Sequence, residues 1–210
     1  DRKEKGIPNV AVSNGREVTL TDSKGEYSLP IVADNIVFVI KPGIYAVPVN
    51  EFNQPRFFYM HKPKGSPALK YAGTPPTGDL PGSVNFPLIP SAVEDSFRML
   101  LFGDPQTYTL EEVDFFSRGI VSELKGVRDV DFGISLGDLA GDNLDLHIPY
   151  VNAVKDIGIP WHNIMGNHDE NYDVTADSLS DETFEKNFGP ATYSFNHGMA
   201  HIIILDDILY

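Results

Sequence analysis

Val130-Asp131-Phe132-Gly133-Ile134-Ser135-Leu136-Gly137-Asp138-Leu139-Ala140-Gly141-Asp142-Asn143 decides how this chain is read. A short apolar run stops at Gly-Asp, so a buried strand delivers a carboxylate at its carboxyl end. The same pattern stands on either side. Phe97 to Phe102 leads into Gly103-Asp104-Pro105-Gln106, and Ile159 to Met165 leads into Gly166-Asn167-His168-Asp169. Hard oxygen donors, an amide pair and an imidazole would thus meet at one edge of a sheet. That carboxyl edge is where α/β folds assemble their sites.

The segments between these runs read as helices. Thr109 and Glu112 form a capping box, and Leu110, Val113, Phe116, Ile120 and Leu124 follow at steps of three and four before Gly126. Tyr150, Val151, Val154 and Ile157 mark a second helix, with Pro149 in its first turn and Gly158 after its last. Strand, helix, strand, helix, strand implies βαβ crossovers and a largely parallel sheet. Tyr193 to Phe195 and His201 to Leu205, joined by Asn196-His197-Gly198, predict a terminal hairpin.

Upstream the pattern changes. Val10 to Val12, Glu17 to Thr21, Glu26 to Pro30 and Ile36 to Ile40 are short β-rich runs separated by Asn14-Gly15, Asp22-Ser23-Lys24-Gly25 and Ala33-Asp34-Asn35. They predict a small all-β sandwich over residues 1–62. Residues 63–93 are rich in Pro and Gly and exclude regular helix or central strand. They form a linker, or a strap docked through Tyr71, Phe86, Leu88 and Ile89. Residues 94–210 form the α/β part.

Composition narrows the function. With 16 Lys and Arg against 30 Asp and Glu, the formal charge is -14, which disfavours a nucleic-acid surface. There is no cysteine, so disulfides and thiolate metal sites are excluded. The longest apolar run is too short for a membrane span. The remaining ligands, Asp, Asn, Gln and His, suit manganese, iron, zinc or magnesium.

Two divalent cations held by such a set would clamp a phosphoryl oxygen and activate water. Asp104 and Gln106 lie two residues apart, with Pro105 fixing the turn between them. Asp138 could bridge the cations, Asn167 would add an amide oxygen, and His168 would protonate the leaving group. Asp169 is the expected partner that orients the His168 imidazole. Single-residue alternatives remain: Asp104 as a turn residue, Asp138 as a helix N-cap, Asp142-Asn143 as loop and cap. His61, His147 and His162 read as structural, His197 as an exposed turn residue, and Trp161 as core. Asp206 and Asp207 close a strand at what could be the active edge.

The order D-x-Q, G-D-x-x, G-N-H-D resembles the calcineurin-like metallophosphoesterases, whose usual first element is D-x-H. Gly6-Ile7-Pro8-Asn9-Val10 to Asn14-Gly15 and Thr21-Asp22 to Gly25-Glu26-Tyr27-Ser28-Leu29 resemble the carboxypeptidase-regulatory-like, transthyretin-like β-sandwiches. The resemblance implies a sandwich followed by the N-terminal portion of a metallophosphoesterase-type α/β domain. It makes Asp104 and Gln106 ligands of a first metal, Asp138 the bridge, Asn167 a ligand of the second and His168 the group beside the leaving oxygen. It implies hydrolysis of a small phosphomonoester or phosphodiester by metal-activated water, in a periplasmic or secreted protein of the bacterial envelope. Gln106 departs from the usual His and leaves the metals' identity open. Family members add a later histidine and a G-H-x-H turn. Only His197 and His201 follow Asp169, so the expectation is a fragment that binds metal weakly and is inactive alone. Two further readings stand: a non-catalytic extracellular module that binds through its β-sandwich, and a site completed by self-association or by a missing C-terminal segment.

Overall fold

The computed structural model describes residues 4–92 and 96–208, and the fold is mixed α/β. The boundary expected at 93/94, the expected start of the α/β pattern at Asp95 and the chain ends at Asp1–Lys3 and Leu209–Tyr210 lie outside the described residues.

Strands β1 (Ala11–Ser13), β2 (Val18–Leu20), β3 (Asn35–Ile40), β4 (Tyr45–Ala46) and β5 (Phe58–His61) make up the N-terminal part. Four of them form one antiparallel sheet in the order β2-β1-β3-β5. Asn14 and Gly15 shape the β1–β2 turn. Asn14 Oδ1 accepts from the amides of Arg16 and Glu17 at 3.0 and 2.7 Å, and Gly15 has φ +83°. Glu26 to Pro30 joins no ladder among the described residues; Asn14 Nδ2 caps the Pro30 carbonyl instead. Ile36, Val37, Phe38 and Val39 of β3 are all buried, so both faces of this central strand are covered.

After β6 (Ile89–Pro90), which pairs with β4, the chain enters β7 (Met99–Phe102). Helix α1 (Leu110–Phe116) starts at the Thr109 capping box, passes through a π-helical turn (Ser117–Val121) and ends as α2 (Ser122–Leu124). The extra residue of that turn shifts the buried face. Val121 takes the core position expected of Ile120, which is 52% exposed, and Leu110 also faces out. Strand β8 (Phe132–Leu136), helix α3 (His147–Val154) and strand β9 (Trp161–Ile164) follow. β7, β8 and β9 form a parallel sheet in sequence order.

One face of this sheet carries the helices. Leu100, Phe102 and Trp161 pack with Val121, Tyr150, Val151 and Val154. Gly133 admits the Trp161 ring, because a Cβ there would overlap it. Trp161 Nε1 and Tyr150 share the Ser135 hydroxyl at 2.8 and 2.7 Å, which satisfies the polar atoms of both rings. The other face, Phe132 and Ile134 of β8, packs against Val39 and Phe57 of the N-terminal sheet and against Tyr193, Phe195 and Ile204. Those last three belong to the hairpin β10 (Tyr193–His197) and β11 (Ala200–Ile204). The hairpin is stitched to the N-terminal part by Asn196 N to Lys41 O at 2.8 Å and Gly198 N to Gly43 O at 3.2 Å. His197 thus lies within a strand, with its side chain 13% exposed, rather than in a solvated turn.

The Pro-rich stretch is held at both ends. Phe86 and Leu88 enter the shared core, and Tyr27 donates to Val84 O. Lys62 is buried against helix α4 (Glu182–Phe188), with Nζ 2.5 Å from Glu182 and 3.7 Å from Glu185. Burial pushes the Glu185 carboxyl up to about 8.

Candidate functional site

The three turns meet at the carboxyl edge of the parallel sheet. Gln106 N donates to Asp138 O at 2.7 Å, and Thr107 forms a parallel bridge with Ala140. These contacts extend the β7–β8 pairing into the loops. Asp138 Oδ1 in turn accepts the His168 amide at 3.1 Å, which ties the second turn to the third. Glycine makes the approach possible. A Cβ on Gly137 would lie 2.9 Å from the Gly166 Cα, and one on Gly166 would overlap Asp138 Oδ1 and its backbone nitrogen. Larger residues at either position would drive the tips apart.

Asp104, Gln106, Asp138 and Asp142 all adopt positive φ, at +49°, +40°, +49° and +63°. L residues take that region at a cost, and clusters of such residues mark sites where surrounding structure fixes the backbone. Here it turns Asp104 and Asp138 toward each other. A hydrogen bond to the Asp138 carboxyl, first, and then the Asp138 charge raise the Asp104 pKa above the ordinary carboxylate value. His168 opposes that rise, which places its ring in the same field.

Asp169 does not orient His168. Its carboxylate is fully buried and accepts from Leu139 N at 3.1 Å, Ala140 N at 3.2 Å, Gly166 N at 3.0 Å and His147 Nε2 at 3.0 Å. It pins the second turn to the third from below. The carboxylate that holds the His168 imidazole is Asp142, with Nδ1 to Oδ1 at 2.6 Å. That bond, first, raises the His168 pKa against desolvation, and the nearby carboxylate charges add to the rise. The imidazolium is favoured and its Nε2 remains available.

Two tyrosines frame the edge: Tyr71, expected only as an apolar anchor of the Pro-rich stretch, and Tyr172, which the sequence did not single out. Tyr71, from the Pro-rich stretch, donates to Asp142 O at 3.0 Å, and the Tyr172 hydroxyl donates to Asn167 O. Asn167 itself is exposed at the tip of its turn. The signal for Asp142 was present: it follows Gly141 in a loop already carrying Asp138. Neither tyrosine has a spacing that announces it.

The donor chemistry suits a hard divalent cation in part. Two carboxylates in mutual contact would each be stabilised by one, and Gln106 and Asn167 stand in the adjoining turns with amide oxygens. Among the described residues, no three His, Asp, Glu or Cys side chains gather as a metal-binding group.

Residues 1–72 match the family model described as the N terminal of calcineurin-like phosphoesterase. That third of the chain is similar to the N-terminal region of calcineurin-like phosphoesterases. No curated protein and no solved structure matches the chain. No described helix is long and apolar enough to cross a membrane.

Proposed function

We propose that this chain carries active-site residues of a metal-dependent hydrolase of phosphoric esters, monoester or diester. The observation that carries the reading is the contact between Asp104 and Asp138 at the carboxyl edge, with His168 beside them. Asp104, Asp138, Gln106 and Asn167 would hold two divalent cations. When bound, these supply positive charge for phosphoryl oxygens and acidify water.

The chain's own groups do the rest. Gln106 N and the His168 amide fix Asp138 from both sides, so its carboxylate arrives already oriented. Asp142 holds the imidazolium form of His168, which donates a proton from Nε2 to the departing alkoxide. His168 then stands neutral and regains a proton from water. The exposed position of Asn167 and Tyr172 leaves room for an ester above the edge. The finer architecture, a β-sandwich ahead of a phosphoesterase-type α/β domain in an envelope protein, belongs to the same proposal.

The test is hydrolysis of an aryl phosphate with manganese, comparing the wild-type chain with Asp138→Ala and Asp142→Asn. Loss of manganese-dependent turnover in Asp138→Ala, and a smaller fall in Asp142→Asn, supports the reading. Measurable manganese-dependent turnover that Asp138→Ala retains in full refutes it, as does a wild type that binds no manganese by calorimetry.

A further inference from the structure

At the opposite, amino-terminal edge of the parallel sheet lies a cavity of about 200 Å³ between that sheet, the N-terminal sheet and the hairpin. Its walls include Phe132, at the start of β8, and Pro160, just before β9. The length of β8, about 13 Å at ~3.3 Å per residue, separates it from the turns that carry Asp104 and Asp138. It is therefore a separate place on the molecule.

The lining has two characters. Val39, Val47, Phe57, Phe132 and Phe195 supply an apolar floor, and the His162 ring lies flat on Phe195, with centroids 4.2 Å apart and planes 2° apart. Converging on this floor are a cation and two imidazoles. Lys41 is 9% exposed, and its Nζ donates to Tyr45 O at 2.9 Å and to Asn196 O. Those two carbonyls hold the ammonium in place without neutralising it. No described carboxylate forms an ion pair with it. His197 Nε2 is buried without a hydrogen bond, 3.4 Å from Asp131 Oδ1. Asp131, the one described acid in the lining, faces His197 and accepts from Arg98 N through its other oxygen at 3.2 Å.

A fixed cation over an aromatic floor, beside an unsatisfied imidazole nitrogen, matches one ligand chemistry. We propose that this cavity binds a small organic anion, a carboxylate on an aromatic or branched body, with the carboxylate on Lys41 Nζ and His197 Nε2 and the body against Phe57, Phe132 and Phe195. The size fits: a cavity of about 150 Å³ accepts benzene, and this one has room for the ring and its carboxylate. Burying an ammonium costs free energy unless an anion accompanies it, so the site gains from being filled. The proposal does not rest on the phosphoesterase reading.

The test uses the whole chain in EDTA, titrated with benzoate and, separately, with neutral benzamide by isothermal calorimetry. The expected result is saturable benzoate binding that benzamide does not reproduce. Lys41→Met keeps the apolar stem and should weaken benzoate about ten- to hundredfold, the worth of a charge-assisted hydrogen bond. Asp138→Asn, at the other edge, should bind benzoate like wild type. No saturation with benzoate, or equal affinity for benzamide, overturns the proposal, and neither comparison needs a variant to fold. Wild-type affinity in a folded Lys41→Met chain, or loss in Asp138→Asn, overturns it as well.

Discussion

Asp169→Ala should be among the most destabilising single changes at the candidate site, although Asp169 touches no position a substrate could reach. Its carboxylate is fully buried and accepts three backbone amides, Leu139, Ala140 and Gly166, together with His147 Nε2. Alanine removes the acceptor and leaves these donors in a space too small to hydrate fully. Each stranded donor costs about 1–3 kcal/mol, and part is recovered because the carboxylate itself no longer has to be desolvated. The net loss is about 3–5 kcal/mol. Asp169→Asn keeps one acceptor oxygen but turns an NH2 toward an amide donor, so about half that loss is expected. Urea unfolding followed by circular dichroism reads both, with the midpoint falling and the slope unchanged. Amide exchange at Leu139 and Gly166 should accelerate in parallel. If Asp169→Ala lies within 1 kcal/mol of wild type, the carboxylate is not the staple described and the reasoning fails.

Gly166→Ala would push a methyl group into Asp138 Oδ1 and the Asp138 backbone nitrogen; as backbone cannot swing aside, a loss of about 1–3 kcal/mol is expected in thermal melts. Asp138→Asn removes the group that raises the Asp104 pKa, so the Asp104 carboxyl should titrate at lower pH, as read by carbon-13 NMR in metal-free buffer. An unmoved titration would mean that the two side chains do not meet in solution. His162 is buried, and desolvation first, then Lys41 and His197, lower its pKa to about 3 from 6.5. A depressed folded value means the unfolded chain binds the extra proton, so this group's stabilisation is present above pH 6.5 and drains away as pH falls toward 3. At 1.36 kcal/mol per pH unit the limit is about 5 kcal/mol. His162→Phe should flatten that acid slope in denaturation curves measured across the window, and an unchanged slope would assign it to other groups.

The parallel sheet and its three turns were legible because each announces itself locally: an apolar run, a glycine, then a polar ligand type. Hidden features depend on long-range or fine geometry. The π-helical turn at Ser117–Val121 inserts one residue into an otherwise regular helical pattern, and periodicity alone predicted Ile120 where Val121 is buried. Helix α4 has only Phe184 and Phe188 as large apolar residues, and it docks through Lys62 far away in sequence. Adjacency in Gly-Asn-His-Asp suggested that Asp169 serves His168. The short 3-10 turn over Asn167–Asp169 sends the two side chains different ways, one down into the core and the other out to Asp142. Which carboxylate meets which imidazole was fixed by backbone conformation that residue types alone do not encode.

The arrangement separates two jobs that one cluster of acids cannot perform at once. Asp104 and Asp138 face each other near solvent on strained backbone, and like charges in contact destabilise the chain while keeping it receptive to cations. Asp169, buried and fully bonded, supplies the opposing stabilisation by locking the Leu139, Ala140 and Gly166 amides beneath them. Because the strained tips and the staple share the same two turns, the staple's loss should release the strain rather than merely lower stability. Asp104 would then move away from Asp138 and recover an ordinary carboxylate titration in the Asp169→Asn chain, still folded below its melting point. A raised Asp104 titration that persists in that variant would show that the turns hold their geometry without help from below.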